Sequence, residues 1–351
     1  MNRLVLDRWL IGGVLRATFL VAAALAGLLL FFDLLDALDR LGKPGWSVGR
    51  ILAYTALLQP GRWLEMAPVA LLVGTLVALA NWARHRELAV LRTSGLSPFG
   101  LWRRVALAAL IAAGLTMLLG ERVVPVTEQI ARRWEENRTP GLWVRDGHDY
   151  LHLERVTPNG IERVWRYRLD KEGRRLTAIE FAQFGYFDPN LPGWRFPTGE
   201  RRLFKADGIV LESLRDEIWK SELTPETLAL LWIEPQRMQL TALGHYIAFL
   251  KKNGLEAPSY EVAYWRKWLL PLTLVVMATL AISFVLTHSR TAAMGWRLLA
   301  GTFLGVLFYL VNLLSGRLVT IWSLSPPLAA ALPSLLFTLL AVLLWWRAER
   351  R

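Results

Sequence analysis

The sequence predicts a membrane-embedded helical bundle of six spans, interrupted by one all-β domain. Three observations carry this. Of the 351 residues, 54% are hydrophobic, above the roughly 45–50% of soluble domains. The apolar residues gather into six runs near the ~20 residues that cross a bilayer. A polar stretch of more than a hundred residues, marked by turn dipeptides, separates the third run from the fourth.

The first run, Ile11–Phe32, is broken only by Arg16. Within it Ala24-Leu25-Ala26 resembles a signal-peptidase site, but the run continues past that point to Phe32, beyond the ~7–15 residue core of a signal peptide. The second run is Leu64–Trp82, with Glu65 at its edge, and the third is Val105–Gly120, prolonged by Val123–Val126. The last three are Trp268–Leu286, Leu298–Leu314 and Leu324–Trp346. The basic residues of the short loops set orientation. One side holds twelve: Arg3, Arg8, Arg84, Arg86, Arg92, Arg103, Arg104, Arg290, Arg297, Arg347, Arg350 and Arg351. The other holds five: Arg40, Lys43, Arg50, Arg62 and Arg317. This asymmetry predicts cytoplasmic termini and a large domain that is periplasmic or extracellular.

In the polar middle, Tyr150–Val156, Glu162–Leu169 and Leu176–Phe187 are rich in β-branched and aromatic residues. They lie between the turn signals Asp146-Gly147, Asn159-Gly160, Glu172-Gly173 and Asp207-Gly208. Such short connections suit successive antiparallel strands and exclude parallel crossovers. Downstream, Thr224 and Pro225 open a short helix, and Thr241–Lys252 is a second, closed by Gly254. The expected organisation is a first membrane half over 1–127, a β domain over 128–240, and a connecting helix with the second membrane half over 241–351.

Several chemistries are missing from the sequence. There are no cysteines, hence no disulfide and no thiolate metal site. There is no P-loop and no HExxH motif, and the spans carry no series of acids suited to proton coupling. His148 and His152, four apart in a predicted strand, simply share one face. An energy source must come from elsewhere, or the protein is passive.

Three segments remain as carriers of function. In the loop Arg84–Trp102, Glu87, Leu88, Val90 and Leu91 fall at helical spacing, Gly95 ends the helix and Pro98 starts the next. A short amphipathic helix here either docks in a groove of a soluble partner or lies at the lipid interface, with Glu87 paired to a neighbouring arginine. At the far end of the first span, Asp33, Asp36, Arg40 and Lys43 form a polar stripe. Its basic groups either meet phosphates or belong to an ordinary interfacial stripe in which Asp36 pairs with Arg40. In the fifth span, Gly301 and Gly305 permit close helix packing, and Asn312 wants a polar partner.

In their order and spacing these pieces resemble the LptF/LptG permease family of lipopolysaccharide exporters, and one of its two branches more than the other. The resemblance covers nearly the whole chain. It runs through LDRW at Leu6–Trp9, RHRELAVLRTSG at Arg84–Gly95, GERVVPVTEQIAR at Gly120–Arg132 and LWVRDGHDYLHLERV at Leu142–Val156. It continues with LTPETL at Leu223–Leu228, LGHYIAFLKKNG at Leu243–Gly254, MGWRLLAGTFLGVLFY at Met294–Tyr309 and SPPLAAALP at Ser325–Pro333.

The resemblance implies a non-catalytic permease without cofactor or metal, in the bacterial inner membrane. It implies pairing with a second permease chain, LptF, and association with LptC and a dimer of the cytoplasmic ATPase LptB. Lipopolysaccharide would enter between the first and fifth spans and pass to periplasmic β-jellyroll-like domains. Glu87 matches the family's coupling-helix glutamate, and Leu88, Leu91, Arg92 and Gly95 accompany it in ATPase coupling. Phe31, Leu34, Val306, Tyr309, Leu310 and Leu314 match the lipid-cavity side. Two family positions for basic head-group ligands are Asp33 and Asp39 here, and only Arg40 keeps its sign, with Lys43 close by. Arg62, Arg132 and Arg133 are the nearby substitutes. Two other classes stay open on the residues alone: a membrane scaffold that anchors a β domain, and a solitary secondary transporter. Nucleic acid is not expected as a partner, because the cytoplasmic pieces are short.

Overall fold

The computed structural model describes residues 3–43, 45–135, 141–146, 149–157, 160–170, 172, 174–188, 193–205, 208–221, 224–225, 228, 235–252, 256–287 and 294–349. The chain divides into two compact units. One is Met1–Glu128 with Pro235–Leu243 and Pro258–Arg351, and the other is Gln129–Glu234 with Gly244–Ala257.

The first unit is helical. Helix α1 is Arg3–Leu38, α2 Val48–Arg84, α3 Glu87–Thr93, α4 Pro98–Leu118 and α5 Val124–Glu135. Helix α6 (Leu240–Lys252) runs from the first unit into the second after Leu243, as α5 does after Glu128, and α7 (Pro258–Thr287), α8 (Met294–Trp322) and α9 (Pro326–Glu349) complete the first unit. Among the described residues, six stretches are long and apolar enough to cross a membrane: Leu4–Leu38, Val48–Arg84, Pro98–Ala131, Pro258–Val285, Leu299–Val319 and Pro326–Arg347. Each contains or largely overlaps one of the six runs read from the sequence. Helix α2 has 37 residues, about 55 Å at 1.5 Å per residue, so it outreaches a hydrocarbon core of ~30 Å. That length carries Arg62 within the helix rather than in a loop.

Lipid tails are as apolar as leucine, so close packing rather than hydrophobic transfer joins such helices. Helix α2 is the centre of that packing, with α1, α7 and α8 against it and Leu71, Leu72, Leu76 and Leu79 fully buried. Small residues set the approach. A Cβ on Gly74 would collide with the backbone of Thr18 in α1, and one on Gly305 of α8 would stand 2.7 Å from Val69 Cγ1. Gly301 is likewise closed off by Leu76. The expected small-residue contact of the fifth span is thus made, and its partner is the second span. The contacts at Asn312 are made by its main-chain carbonyl rather than its side chain: that oxygen accepts from the guanidinium of Arg266 and the hydroxyl of Ser315.

Between α4 and α5 the chain makes one π turn, Leu119–Val123. A π turn displaces one carbonyl from the helix ladder, and Glu121 O here accepts from Gln239 Nε2 at 3.2 Å. The Glu121 carboxylate accepts from Leu240 N at 2.8 Å, at the start of α6, and from Lys267 Nζ at 2.7 Å. The returning segment Pro235–Leu243 is therefore fastened to the π turn by polar groups, and Glu121 links the same turn to α7.

The second unit holds one six-stranded antiparallel sheet, in order β1-β2-β3-β4-β5-β6. The strands are Leu142–Asp146, Asp149–Thr157, Gly160–Leu169, Leu176–Asp188, Gly193–Lys205 and Gly208–Lys220. Each pairs with its neighbours in the chain, as short connections require. The pairs Asp146↔Asp149, Thr157↔Gly160 and Lys205↔Gly208 close two-residue hairpins whose central residues, His148 among them, lie outside the described set. One sheet face buries Val144, Leu151, Leu153, Val164, Ala182, Trp194 and Trp219, the period-2 outcome of alternation. The same face carries Glu180, buried, which accepts from Arg201 at 2.6 Å and from Arg166 and Arg168 at 3.4 Å. Burial alone would lower the Arg201 pKa, but its hydrogen bonds and attraction to Glu180 and Glu217 leave it raised. Leu228 N donates to Thr224 O at 3.0 Å, one turn after the sheet. The Gly254 cap expected after α6 lies outside the described residues.

Candidate functional site

Both termini belong to one end of the six-span bundle, because an even number of crossings returns the chain to its start. At the opposite end, α1 carries Asp33 directly after the apolar run that ends at Phe32. Arg62 of α2 meets it edge-on, Nη2 to Oδ1 at 2.6 Å and Nε to Oδ2 at 3.1 Å. Gln59 Nε2 adds a longer contact of 3.4 Å to Oδ2. Arg62 also lies 3.6 Å from Glu65. Arg237, on the returning segment, binds Glu65 at 3.1 Å and Glu128 of α5 at 2.5 Å, and Glu128 is 1% exposed. Five charges thus join α1, α2, α5 and the segment after the sheet in one network. None of these links is local in sequence except Arg62 with Glu65.

The basic residues expected at this end divide by this geometry. Arg62 is engaged by Asp33. Arg40 packs its guanidinium over Tyr54 at 4.4 Å and Trp46 at 4.9 Å. Lys43 is half-exposed in the turn after α1. The side chains of Arg132 and Arg133 lie outside the described residues. Asp39 is exposed.

On α1 and α8 the apolar residues expected to line a cavity are uncovered. Phe31, Val306, Tyr309, Leu310 and Leu314 are exposed and Leu34 is half-buried. The opposite side of α8, with Phe308, Ser315 and Val319, is buried. Helix α8 therefore gives one side to its own bundle and leaves the other bare.

At the termini end, α3 is a seven-residue helix between α2 and α4. It starts after Arg86, in the left-handed region at φ 59°, and ends at Gly95, with φ +93°. Leu96 N donates to Leu91 O at 3.0 Å and Gly95 N to Arg92 O at 3.1 Å. These are the two bonds of a Schellman cap. Ser97 then caps α4 by accepting from Gly100 N at 3.0 Å, with Pro98 at the first turn. Leu88 and Leu91, 9% and 6% exposed, plug into the helical core. They hold α3 to its own bundle, so the surface it offers outward is Val90, 64% exposed, with Thr93 and nearby Phe99, 65% exposed. Glu87 is half-exposed and makes no ion pair with Arg84, Arg86 or Arg92. Val90 was legible as part of the helical pattern, whereas Phe99 carried no signal, because it lies beyond the cap.

A bundle of six candidate spans with an inserted β unit, bare apolar helix faces and a short helix presented at the termini end defines a multi-pass membrane protein. The model of the family "Lipopolysaccharide export system permease LptF/LptG" matches residues 8–347, and the chain belongs to that family. The chain is similar to the lipopolysaccharide export system permease protein LptG of Haemophilus influenzae, 29% identical over 99% of this chain and 98% of that protein. It is similar to LptG of Escherichia coli strain K12 at 30% identity, over 98% of each chain. The branch suggested by the sequence motifs is thus the branch of these relatives.

Proposed function

We propose that the chain is the non-catalytic membrane subunit of an ATP-driven lipopolysaccharide extractor of the bacterial inner membrane. Its termini are cytoplasmic and its β unit is periplasmic, as the twelve-to-five distribution of loop charges indicates. It pairs with LptF, takes its energy from a dimer of LptB docked at α3, and works with LptC. Lipopolysaccharide enters along the bare side of α8 and the end of α1, touching Phe31, Leu34, Val306, Tyr309, Leu310 and Leu314. Its acidic head group meets basic groups drawn from Arg40, Lys43, Arg62, Arg132 and Arg133. Conformational change then drives it to the β unit, one member of a jellyroll-like bridge.

The observation that carries the reading is α3. It is anchored by Leu88 and Leu91 and capped at Gly95. It presents Val90, the Glu87 carboxylate and the following Phe99 on the face where a chain without a nucleotide motif would meet its ATPase. The carboxylate is half-exposed and within reach of a partner. Arg92, exposed on the same short helix, completes the docking surface. Replacing Glu87 with Ala in the reconstituted complex lowers lipopolysaccharide-stimulated ATP hydrolysis about tenfold or more, the scale of one lost charge-assisted contact at an interface. Unchanged stimulated hydrolysis would remove the coupling role.

A further inference from the structure

We propose that Asp33 is a built-in competitor that sets how tightly Arg62 takes a phosphate from the lipid head group; this rests on the lipid-binding reading above. The geometry is specific. Arg62 spends its Nε and Nη2 on the two oxygens of Asp33. That fork is the edge of a guanidinium that also matches phosphate. Its remaining side faces Glu65 at 3.6 Å, which Arg237 also binds. At Arg62 itself two carboxylates, Asp33 and Glu65, already face the guanidinium, so an arriving anion is opposed until one of them gives way.

Asp33 is the one that can. Glu128 is buried against Arg237, and Glu65 is shared between two arginines. Asp33 is held by one arginine and has a second donor in reach, Gln59 Nε2 at 3.4 Å. When a phosphate takes the Arg62 fork, Asp33 keeps that amide as its partner and is not left bare among apolar residues, which would cost several kcal/mol. A phosphate monoester carries up to two charges to the carboxylate's one, so the exchange favours a phosphorylated ligand and resists a neutral one. Asp33 thereby makes binding at Arg62 weaker and more selective for phosphate.

The test uses the whole complex in nanodiscs and measures binding of lipopolysaccharide, of the same material after enzymatic dephosphorylation, and of inorganic phosphate alone. Asp33→Asn keeps an oxygen for Arg62 but removes the competing charge. It is expected to lower the Kd for intact lipopolysaccharide about tenfold, equivalent to ~1.4 kcal/mol, and to leave the dephosphorylated lipid unaffected. Gln59→Leu removes the fallback donor and is expected to raise the Kd for intact lipid about fivefold, one net hydrogen bond. It carries the test if Asp33→Asn does not yield a folded complex. No tightening by Asp33→Asn, or equal tightening for the dephosphorylated lipid, overturns the competitor role. An equal gain for inorganic phosphate overturns its assignment to a lipid head group. If the wild-type complex binds no lipopolysaccharide at all, the function proposed above falls first, a result distinct from wild-type binding that Asp33→Asn leaves unchanged.

Discussion

Asp33 follows the end of the first apolar run, where an ionised carboxylate costs less than the about 2.5–3.5 kcal/mol of a span centre, and Arg62 offsets that cost with two hydrogen bonds. In the sequence, Asp33 stands at a position where the resemblance implies a basic head-group ligand. In the structure its charge is matched by an arginine 29 positions away. That pairing was not legible, because α2 is apolar on all sides near its middle and nothing in its pattern sets which side meets α1. Arg237 was hidden for a stronger reason. It reaches Glu128 across 109 positions and the whole β unit. Arg62→Leu leaves Asp33 without its ionic partner, and breaking such a largely buried pair costs about 3 kcal/mol or more. Thermal unfolding of the purified complex is expected to show a clear fall in Tm for Arg62→Leu and a smaller one for the double change with Asp33→Asn. Equal Tm values for wild type and Arg62→Leu would contradict the pairing.

At the scale of elements, the parts with local causes were readable and the parts with distant ones were not. Helix α3 follows from Gly95 at its end and Pro98 beyond, and both act as expected, with Gly95 at the positive φ the cap requires. The hairpins of the sheet follow from short polar connections and alternating strands. The π turn at Leu119–Val123 has no local signature; it appears where Gly120 lies against Leu64 and Glu121 serves the returning segment. Gly301 and Gly305 were legible as a close-packing pair, but their target, α2, was not. Gly305→Leu forces a large side chain into Val69, where even a Cβ has 2.7 Å, and overpacking of this kind costs about 1–3 kcal/mol. A shifted α8 misplaces Val306, Tyr309, Leu310 and Leu314 together. Photocrosslinking of lipopolysaccharide to a probe at Tyr309 is therefore expected to drop several-fold in Gly305→Leu at equal protein level. Undiminished crosslinking would show that α8 is not positioned by this contact.

The whole molecule is six spans with a β unit inserted after the third, and that plan was open to reading because apolar runs and turn dipeptides are coarse, repeated signals. The bare sides of α1 and α8 have no counterpart in a soluble fold, where such area would be buried. In a membrane permease they are available to lipid and to a second permease chain. The proposed function places the energy source in another protein that docks at α3. Purification of the tagged chain from native membranes in mild detergent, with co-purifying proteins identified by mass spectrometry, tests this most directly. The account predicts recovery of a P-loop ATPase together with a second six-span permease. Recovery of the chain alone, under conditions that keep other multi-subunit transporters intact, would contradict it.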